Sequence, residues 1–275
     1  MQLNRRDFIV ATSAIASSAI AAPTKRRIKI AVKYQMVKED LSILDKFKLL
    51  HDLGFDGVEV YTRDRQDEAA YLAATQKSGL PIHGVVNSSD PDITSAVKMA
   101  DNLGATSVLV LAREDQKKSY DQNFSDWQDL VTKAIPIAKK CQVRLLIENV
   151  RATFLKTAEG MVRFIESFQD PIVGSYYDTG NTITWTQQSA EHWAKVLGKH
   201  IGRIDVKDRG HSEFGDAKLK SKTAQGTNGG EVHWQNVRKE LRRINYQGWA
   251  TAEVAGGDRH RLARMADWMD DVLGN

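Results

Sequence analysis

Short apolar segments typical of β-strands alternate along this chain with amphipathic segments typical of helices. The strand-type segments number eight, and each is followed by a helical one; they lie at 28–34, 57–61, 80–86, 106–112, 143–148, 173–178, 201–208 and 249–254. Strands separated by helices form parallel sheets. Eight such units in a chain of 275 residues predict a closed (β/α)8 TIM barrel, an α/β fold.

A doubly wound open sheet is the alternative fold for the same alternation. That fold usually carries a glycine-rich phosphate-binding turn directly after its first strand. The segment "VKYQMVKED", which follows the first strand-type run here, contains no glycine. The sequence therefore favours the closed barrel.

The composition excludes several other classes of protein. Hydrophobic residues make up 41% and charged residues 27%, and the net charge of +4 is spread along the chain rather than gathered in a block. This argues against a nucleic-acid partner. Cys141 is the only cysteine, so an intrachain disulfide and a cysteine-rich zinc site are excluded, and we expect Cys141 to be a small buried residue. No change of composition marks a second domain, so residues 28–275 are predicted to form one.

The first residues read as a targeting segment rather than as part of the fold. Residues 1–22, "MQLNRRDFIVATSAIASSAIAA", place paired arginines before a short apolar stretch rich in alanine and serine. The stretch is too short for a membrane-spanning helix, and it resembles a twin-arginine signal peptide. We expect export to the periplasm or beyond, without a stable membrane anchor; a basic tail is the alternative. A protein exported in the folded state would acquire any metal or cofactor in the cytoplasm.

Acidic residues stand at the carboxyl ends of four consecutive predicted strands, the fifth to the eighth: Glu148, Asp178, Asp205 and Glu253. These ends meet at one mouth of a barrel, where ligands bind. Carboxylates gathered in one pocket repel each other, so a cation is implied. Oxygen ligands favour Mn²⁺ or Mg²⁺, with Co²⁺ or Zn²⁺ as further candidates. Solvated acids at the barrel rim are the alternative.

Four segments carry a family resemblance. In their order and spacing, "IENVRATFL", "VGSYYDTGN", "LGKHIGRIDVKD" and "GWATAEVAGGD" resemble the xylose isomerase-like TIM-barrel superfamily of sugar isomerases and epimerases. The resemblance implies that Glu148, Asp178, Asp205 and Glu253 bind one divalent ion, with Asp205 where many relatives have histidine. It also implies that Glu148 and Glu253 are the catalytic acid/base pair. Lys207 could offset the extra negative charge of Asp205.

The resemblance implies an isomerase or epimerase that acts on a sugar or keto sugar through an enediolate. One glutamate removes the proton next to the carbonyl and the other returns a proton. If a leaving group lies one carbon further on, the same site makes a lyase or hydratase acting on 3-keto-glycosides. A non-catalytic carbohydrate-binding barrel is a third reading. A nuclease of the same superfamily is disfavoured, because the sequence lacks its histidine-rich zinc cluster.

Five further residues are predicted to contact the substrate, a small and non-phosphorylated carbohydrate: His83, Lys207, Trp185, Glu59 and His211. For His83 an interior role is the alternative, and for Glu59 a structural ion pair. Trp193 is expected in the core, and Asn149 is expected to orient the loop after Glu148. The long irregular stretch 209–230 reads as a substrate loop. A homo-oligomer is compatible with this interpretation.

Overall fold

The fold is described by a computed structural model that covers residues 26–186, 188–211, 213–215 and 230–275. The predicted signal peptide, residues 1–22, and most of the predicted substrate loop lie outside these ranges. Within them, no helix combines the length and the hydrophobicity that crossing a membrane requires.

Eight parallel strands close into one barrel in chain order. The barrel closes where β1 pairs with β8, with Val32 opposite Ala252. The strands are β1 (Lys29–Lys33), β2 (Gly57–Tyr61), β3 (Ile82–Ser88), β4 (Ser107–Val110), β5 (Arg144–Glu148), β6 (Val173–Asp178), β7 (Ile201–Val206) and β8 (Trp249–Ala252). The predicted (β/α)8 barrel is confirmed and the open sheet is wrong; the predicted bounds of β2 and β6 agree with the structure.

Helices follow the strands and surround the barrel. They are α1 (Ile43–Asp52), α2 (Glu68–Ser78), α3 (Ile93–Asn102), α4 (Tyr120–Cys141), α5 (Ala158–Glu166), the single turn α6 (Thr179–Asn181), α7 (Ala190–Leu197), α8 (Trp234–Arg243) and α9 (Arg259–Leu273). Helix α4 begins at Tyr120, where Ser119 and Gln122 form a capping box. Cys141 ends α4 half-buried, so the expectation of a fully buried cysteine is wrong.

Strand β6, "VGSYYD", shows how the alternation of side chains creates the site. Tyr177 points outward and belongs to the core between barrel and helices. Tyr176 points inward and packs with Val86, Leu109 and Leu146 in the barrel interior. Since alternate residues face the same side of a strand, Asp178 follows Tyr176 into the interior, one layer nearer the carboxyl-terminal mouth.

Candidate metal centre

The four carboxylates predicted from the strand ends meet at the mouth of the barrel. Glu148, Asp178, Asp205 and Glu253 each offer an oxygen atom, and these atoms all lie within 4.8 Å of one another. Asp178 and Asp205 are partners in the register of β6 and β7, and both are fully buried. Glu253 is the most accessible of the four, with 29% of its side chain exposed.

Two lysines lie among these carboxylates. Lys33, at the end of β1, pairs with Glu253 Oε1 and places its Nζ 3.1 Å from Asp205 Oδ2. Lys207 places its Nζ 2.8 Å from Asp178 Oδ2 and 2.7 Å from Glu253 Oε2. Both oxygens of Glu253 are therefore held by ammonium groups. With all groups ionised, four carboxylates and two ammonium groups leave a formal charge of −2.

The carboxylates differ in their protonation behaviour. Burial, and next the charge of Glu253, raises the pKa of Glu148 to about 8. Burial likewise raises the pKa of Asp178 to about 7, although Lys207 opposes the shift, and it raises the pKa of Asp205 well above its usual range. Burial would also raise the pKa of Glu253, but Lys207 and Lys33 together hold it well below its ordinary value. The protein thus keeps one glutamate ionised and makes ionisation of the other unfavourable.

The residues present fit a divalent cation. Asp205 Oδ1 is buried and receives no hydrogen bond from any residue in the described ranges, which is costly for a carboxylate oxygen. A cation at the mouth would satisfy that oxygen. Its charge would also balance the residual charge of −2, and an all-carboxylate set suits a hard ion.

A hydrogen-bonded clamp fixes the position of Asp178. The amide of Asn149 donates to the carbonyl oxygen of Asp178 at 2.9 Å and accepts from its backbone N–H at 2.8 Å. Asp178 Oδ1 accepts from the backbone N–H of Asn181 at 2.8 Å, and Asn181 Nδ2 reaches Glu148 Oε1 at 3.3 Å. The segment "DTGN" therefore begins a helical turn that joins two of the carboxylates. The side chain of Asn149 thus holds the end of β6, whereas the sequence predicts that it orients the loop after Glu148.

Trp185 lies next to the cluster, whereas His211 has its contacts elsewhere. Trp185 Nε1 donates to Asn181 Oδ1 at 3.2 Å, and the guanidinium of Arg151 lies over its ring at 4.9 Å. His211 Nδ1 accepts from the backbone N–H of Phe214 at 2.9 Å, and its ring packs near Trp268 at 5.6 Å. None of its contacts within the described residues is with a carboxylate of the cluster, and its contact with the substrate stays a prediction.

His83 and Glu59 belong to a buried polar chain below the mouth. His83 Nε2 lies 3.0 Å from Thr251 Oγ1, Thr251 lies 3.0 Å from the hydroxyl of Tyr176, and that hydroxyl donates to Glu59 Oε1 at 2.9 Å. His83 is only 2% exposed and stacks on Trp249, the first residue of β8. Tyr176 and Thr251 each lie one layer below a carboxylate of the cluster. His83 and Glu59 are thus interior residues, and their contact with the substrate stays a prediction.

Sequence reasoning missed Lys33. It appeared only as part of a β-type segment, although it is the last residue of β1 and therefore sits at the same end as the four acids. Inspecting the end of the first strand in the same way as strands five to eight would have found it. The expected core position of Trp193 is correct, because its side chain is fully buried.

These observations define the class of protein: a TIM barrel with a cluster of four carboxylates at its carboxyl-terminal mouth. The chain belongs to the xylose isomerase-like TIM barrel family, whose family model matches residues 47–272. Among curated protein sequences, no significant match was found.

Solved structures similar to this chain include sugar epimerases. D-psicose 3-epimerase from Clostridium cellulolyticum H10, solved with D-tagatose, superposes with a TM-score of 0.70 at 17% identity, covering 90% of this chain and 99% of that one. The 3-keto-D-glucoside 4-epimerase of E. coli has a TM-score of 0.73 at 16% identity, covering 89% and 99%. The IOLI protein, with a zinc atom, has a TM-score of 0.72 at 15% identity, covering 90% and 98%. At these identities the likeness establishes the shared fold.

Proposed function

We propose that this protein is a divalent-metal-dependent isomerase or epimerase that acts on a sugar or keto sugar by removing a proton next to a carbonyl, through an enediolate. The observation that carries the proposal is the pair of glutamates, Glu148 on β5 and Glu253 after β8, in one cluster of four carboxylates. Structural similarity to sugar epimerases supports the same kind of reaction.

The residues that would hold the ion are Glu148, Asp178, Asp205 and Glu253. Mn²⁺ and Mg²⁺ suit the all-oxygen set best, while the zinc atom in one structural neighbour keeps Zn²⁺ in consideration, with Co²⁺. When bound, the ion would polarise the substrate carbonyl and so make the neighbouring C–H bond more acidic.

The two glutamates are held differently, which suits two different proton-transfer roles. Glu253 is ion-paired on both oxygens, so the base form of its carboxylate is stabilised and its orientation is fixed. Among the described residues, Glu148 receives a hydrogen bond only from Asn181, so its carboxylate is held less firmly than that of Glu253. We infer that Glu253 removes the proton and that Glu148 returns it in one direction of the reaction.

Lys207 is the substrate contact best supported by its position. Its side chain is 18% exposed, whereas that of Lys33 is 5% exposed. An ammonium group at the mouth can donate to a substrate oxygen that gains negative charge as the proton leaves. Trp185 is connected to the carboxylate cluster through its hydrogen bond to Asn181, and its aromatic ring lies beside the same mouth of the barrel.

A lyase or hydratase acting on 3-keto-glycosides is the second candidate. One structural neighbour is an epimerase of a 3-keto-D-glucoside, which supports this substrate class. The same proton abstraction next to the keto group would then be followed by loss of the substituent one carbon further on. Product analysis separates the candidates, because an epimer keeps the glycosidic bond and a lyase breaks it.

A proton-exchange experiment tests the proposed function. The metal-loaded protein is incubated in D₂O with free ketoses and with 3-keto-glycosides, and deuterium incorporation at carbon is followed by NMR. We expect exchange that falls at least about a hundredfold in Glu253→Gln and Glu148→Gln. The matched control is Glu240→Gln, which removes a surface carboxylate paired with Arg243. Ligand binding without exchange in the wild type would instead support a carbohydrate-binding barrel.

We also propose that the chain is exported by the twin-arginine route. The pair Arg5-Arg6 before the apolar stretch supports this. Replacing both arginines by lysine should leave the protein in the cytoplasm, as judged by fractionation of the expressing cells. Unchanged export would contradict the proposal.

A further inference from the structure

The amino-terminal end of the barrel, opposite the carboxylate cluster, contains two arginines. Burial raises the pKa of Glu59 nearby, and the charge of one of these arginines, Arg203, acts to lower it. Arg144 is the first residue of β5 and, by alternation, lies on the same side of the strand as Leu146 in the barrel interior. Arg203 on β7 is opposite the inward-facing Tyr176 in the strand register and is 9% exposed. Neither arginine forms an ion pair with any residue that the structure describes.

Most of the hydrogen-bonding capacity of these two guanidinium groups is unused. Arg203 donates from Nη1 to the carbonyl of Gly202 at 2.8 Å and from Nη2 to Thr106 Oγ1 at 2.7 Å. Its buried Nε has no partner, and neither has the buried Nε of Arg144. Across residues 26–186, 188–211, 213–215 and 230–275, the Arg144 guanidinium donates no hydrogen bond. The two Nε–H groups are thus buried donors without a partner among the described residues, which is unusual because their desolvation is not repaid.

Two acids near Arg144 have partners other than its guanidinium. Glu166 Oε1 lies 3.2 Å from His200 Nε2, and Asp170 pairs with Lys139 at 2.9 Å. Burial and the like charge of Arg203 both lower the pKa of Arg144, in keeping with a site that has excess positive charge.

Two glycines make room for the Arg144 guanidinium. A Cβ atom added at Gly174 would lie 2.4 Å from Arg144 Nη2, and one added at Gly202 would lie 2.8 Å from Nη1. Arg144 also lines a cleft of about 530 Å³, together with Val173, Lys199, His200 and the two acids Glu166 and Asp170. The guanidinium therefore borders a space large enough for a small ion, and Lys199 adds positive charge to it.

We propose that this cleft is an anion-binding site, distinct from the metal centre, in which Arg144 binds a small oxyanion such as inorganic phosphate. The planar fork of an arginine matches two oxygens of such an ion, and Arg203 behind it strengthens the attraction. The site lies at the end of the barrel opposite the carboxylate cluster, so the bound anion would not compete with a sugar substrate.

Titration of the magnesium-loaded full chain with millimolar inorganic phosphate tests the proposal. Calorimetry should show saturable binding, and the melting temperature should rise relative to sodium chloride of equal ionic strength. In Arg144→Met, which keeps a similar side-chain length, both effects should weaken by about tenfold or more. Arg144→Lys should retain part of the affinity, because it keeps the charge without the fork. Arg243→Met is the matched control, since Arg243 lies on the surface of α8 and pairs with Glu240.

Two results would overturn the proposal. One is the absence of saturable phosphate binding by the wild type. The other is binding that Arg144→Met leaves unchanged, which would place the anion elsewhere, for example beside Lys207. Circular dichroism of each variant shows whether it is folded. If Arg144→Met does not fold, Arg144→Lys provides an independent test.

Discussion

The ammonium group of Lys207 lies 2.7 Å from Oε2 of Glu253, and so ties the end of β7 to the residue that follows β8. The other oxygen of Glu253 is held by Lys33 from β1, on the far side of the barrel closure. Glu253 is therefore bracketed by two cations from different strands. This arrangement fixes its orientation and its charge before any metal or substrate arrives.

Lys33→Met should destabilise the metal-free protein more than the metal-loaded protein. Lys33 and Asp205 are both buried, and removing one partner of a buried ion pair costs about 3–5 kcal/mol. A bound divalent ion would supply the missing positive charge, so the loss should shrink at saturating Mn²⁺. Urea unfolding with and without EDTA measures both values. Lys48→Met, which removes an exposed lysine near Asp45, serves as the control. Equal losses in the two conditions would contradict a shared cation site.

The stability of the metal-free protein should fall as the pH rises toward about 8. The pKa of Glu148 is raised from 4.5 to about 8 and that of Asp178 from 3.8 to about 7, so the folded state binds more protons than the unfolded state in this window. The unfolding free energy then decreases with pH. Glu253, whose pKa is lowered, stays ionised in this window and adds no slope. Melting curves in EDTA at several pH values measure the trend.

Metal affinity should show the opposite dependence on pH. The ion competes with the protons held by Glu148 and Asp178, so binding releases protons and becomes tighter as the pH rises toward about 8. Calorimetric titration with Mn²⁺ in buffers of different ionisation enthalpy counts the protons released. Binding without proton release would show that these carboxylates are not the ligands.

Asn149→Asp should weaken metal binding by about ten- to a hundredfold. The substitution keeps the shape but removes the amide that donates to the carbonyl oxygen of Asp178, and it places a carboxylate against that oxygen. Asp178 would lose the clamp that holds it in the cluster. Asn102→Asp is the matched control, since Asn102 is exposed and its amide donates to Glu68 Oε1 at 2.8 Å. An unchanged Kd for Mn²⁺ would show that Asp178 needs no such support.

Asp205→His should shift metal preference from Mg²⁺ and Mn²⁺ toward Zn²⁺. Imidazole is a softer ligand than carboxylate, and it removes one negative charge from the cluster. The change also leaves Lys33 without its partner at Asp205 Oδ2, so weaker binding of the hard ions is expected in addition. Competition titrations with Zn²⁺ and Mn²⁺ give the ratio of affinities, and an unchanged ratio would argue that Asp205 is not a ligand.

The architecture and the four carboxylates could be predicted from the sequence because both are local signals. An apolar run followed by an amphipathic helix identifies one βα unit, and an acid at the end of a run identifies a side chain at the mouth. The strand "VGSYYD" ends at Asp178 in the structure as in the prediction. Closure of eight parallel strands then brings four such ends together, whatever the details of packing.

Other features were decided only by the tertiary structure. The pairing of Lys33 with Glu253 spans 220 residues, and the depth of His83 depends on register shifts between β2 and β3. The tertiary structure also decided that Arg144 and Arg203 lie near each other. Their side chains approach only because each points into the barrel at the same layer, one from β5 and the other from β7. A sequence pattern shows which residues are apolar and with what period they recur, because this periodicity is a local property of each segment. Which face a residue takes at a bulge, and which distant charge neutralises it, depends on strand register and barrel closure, which no single segment determines.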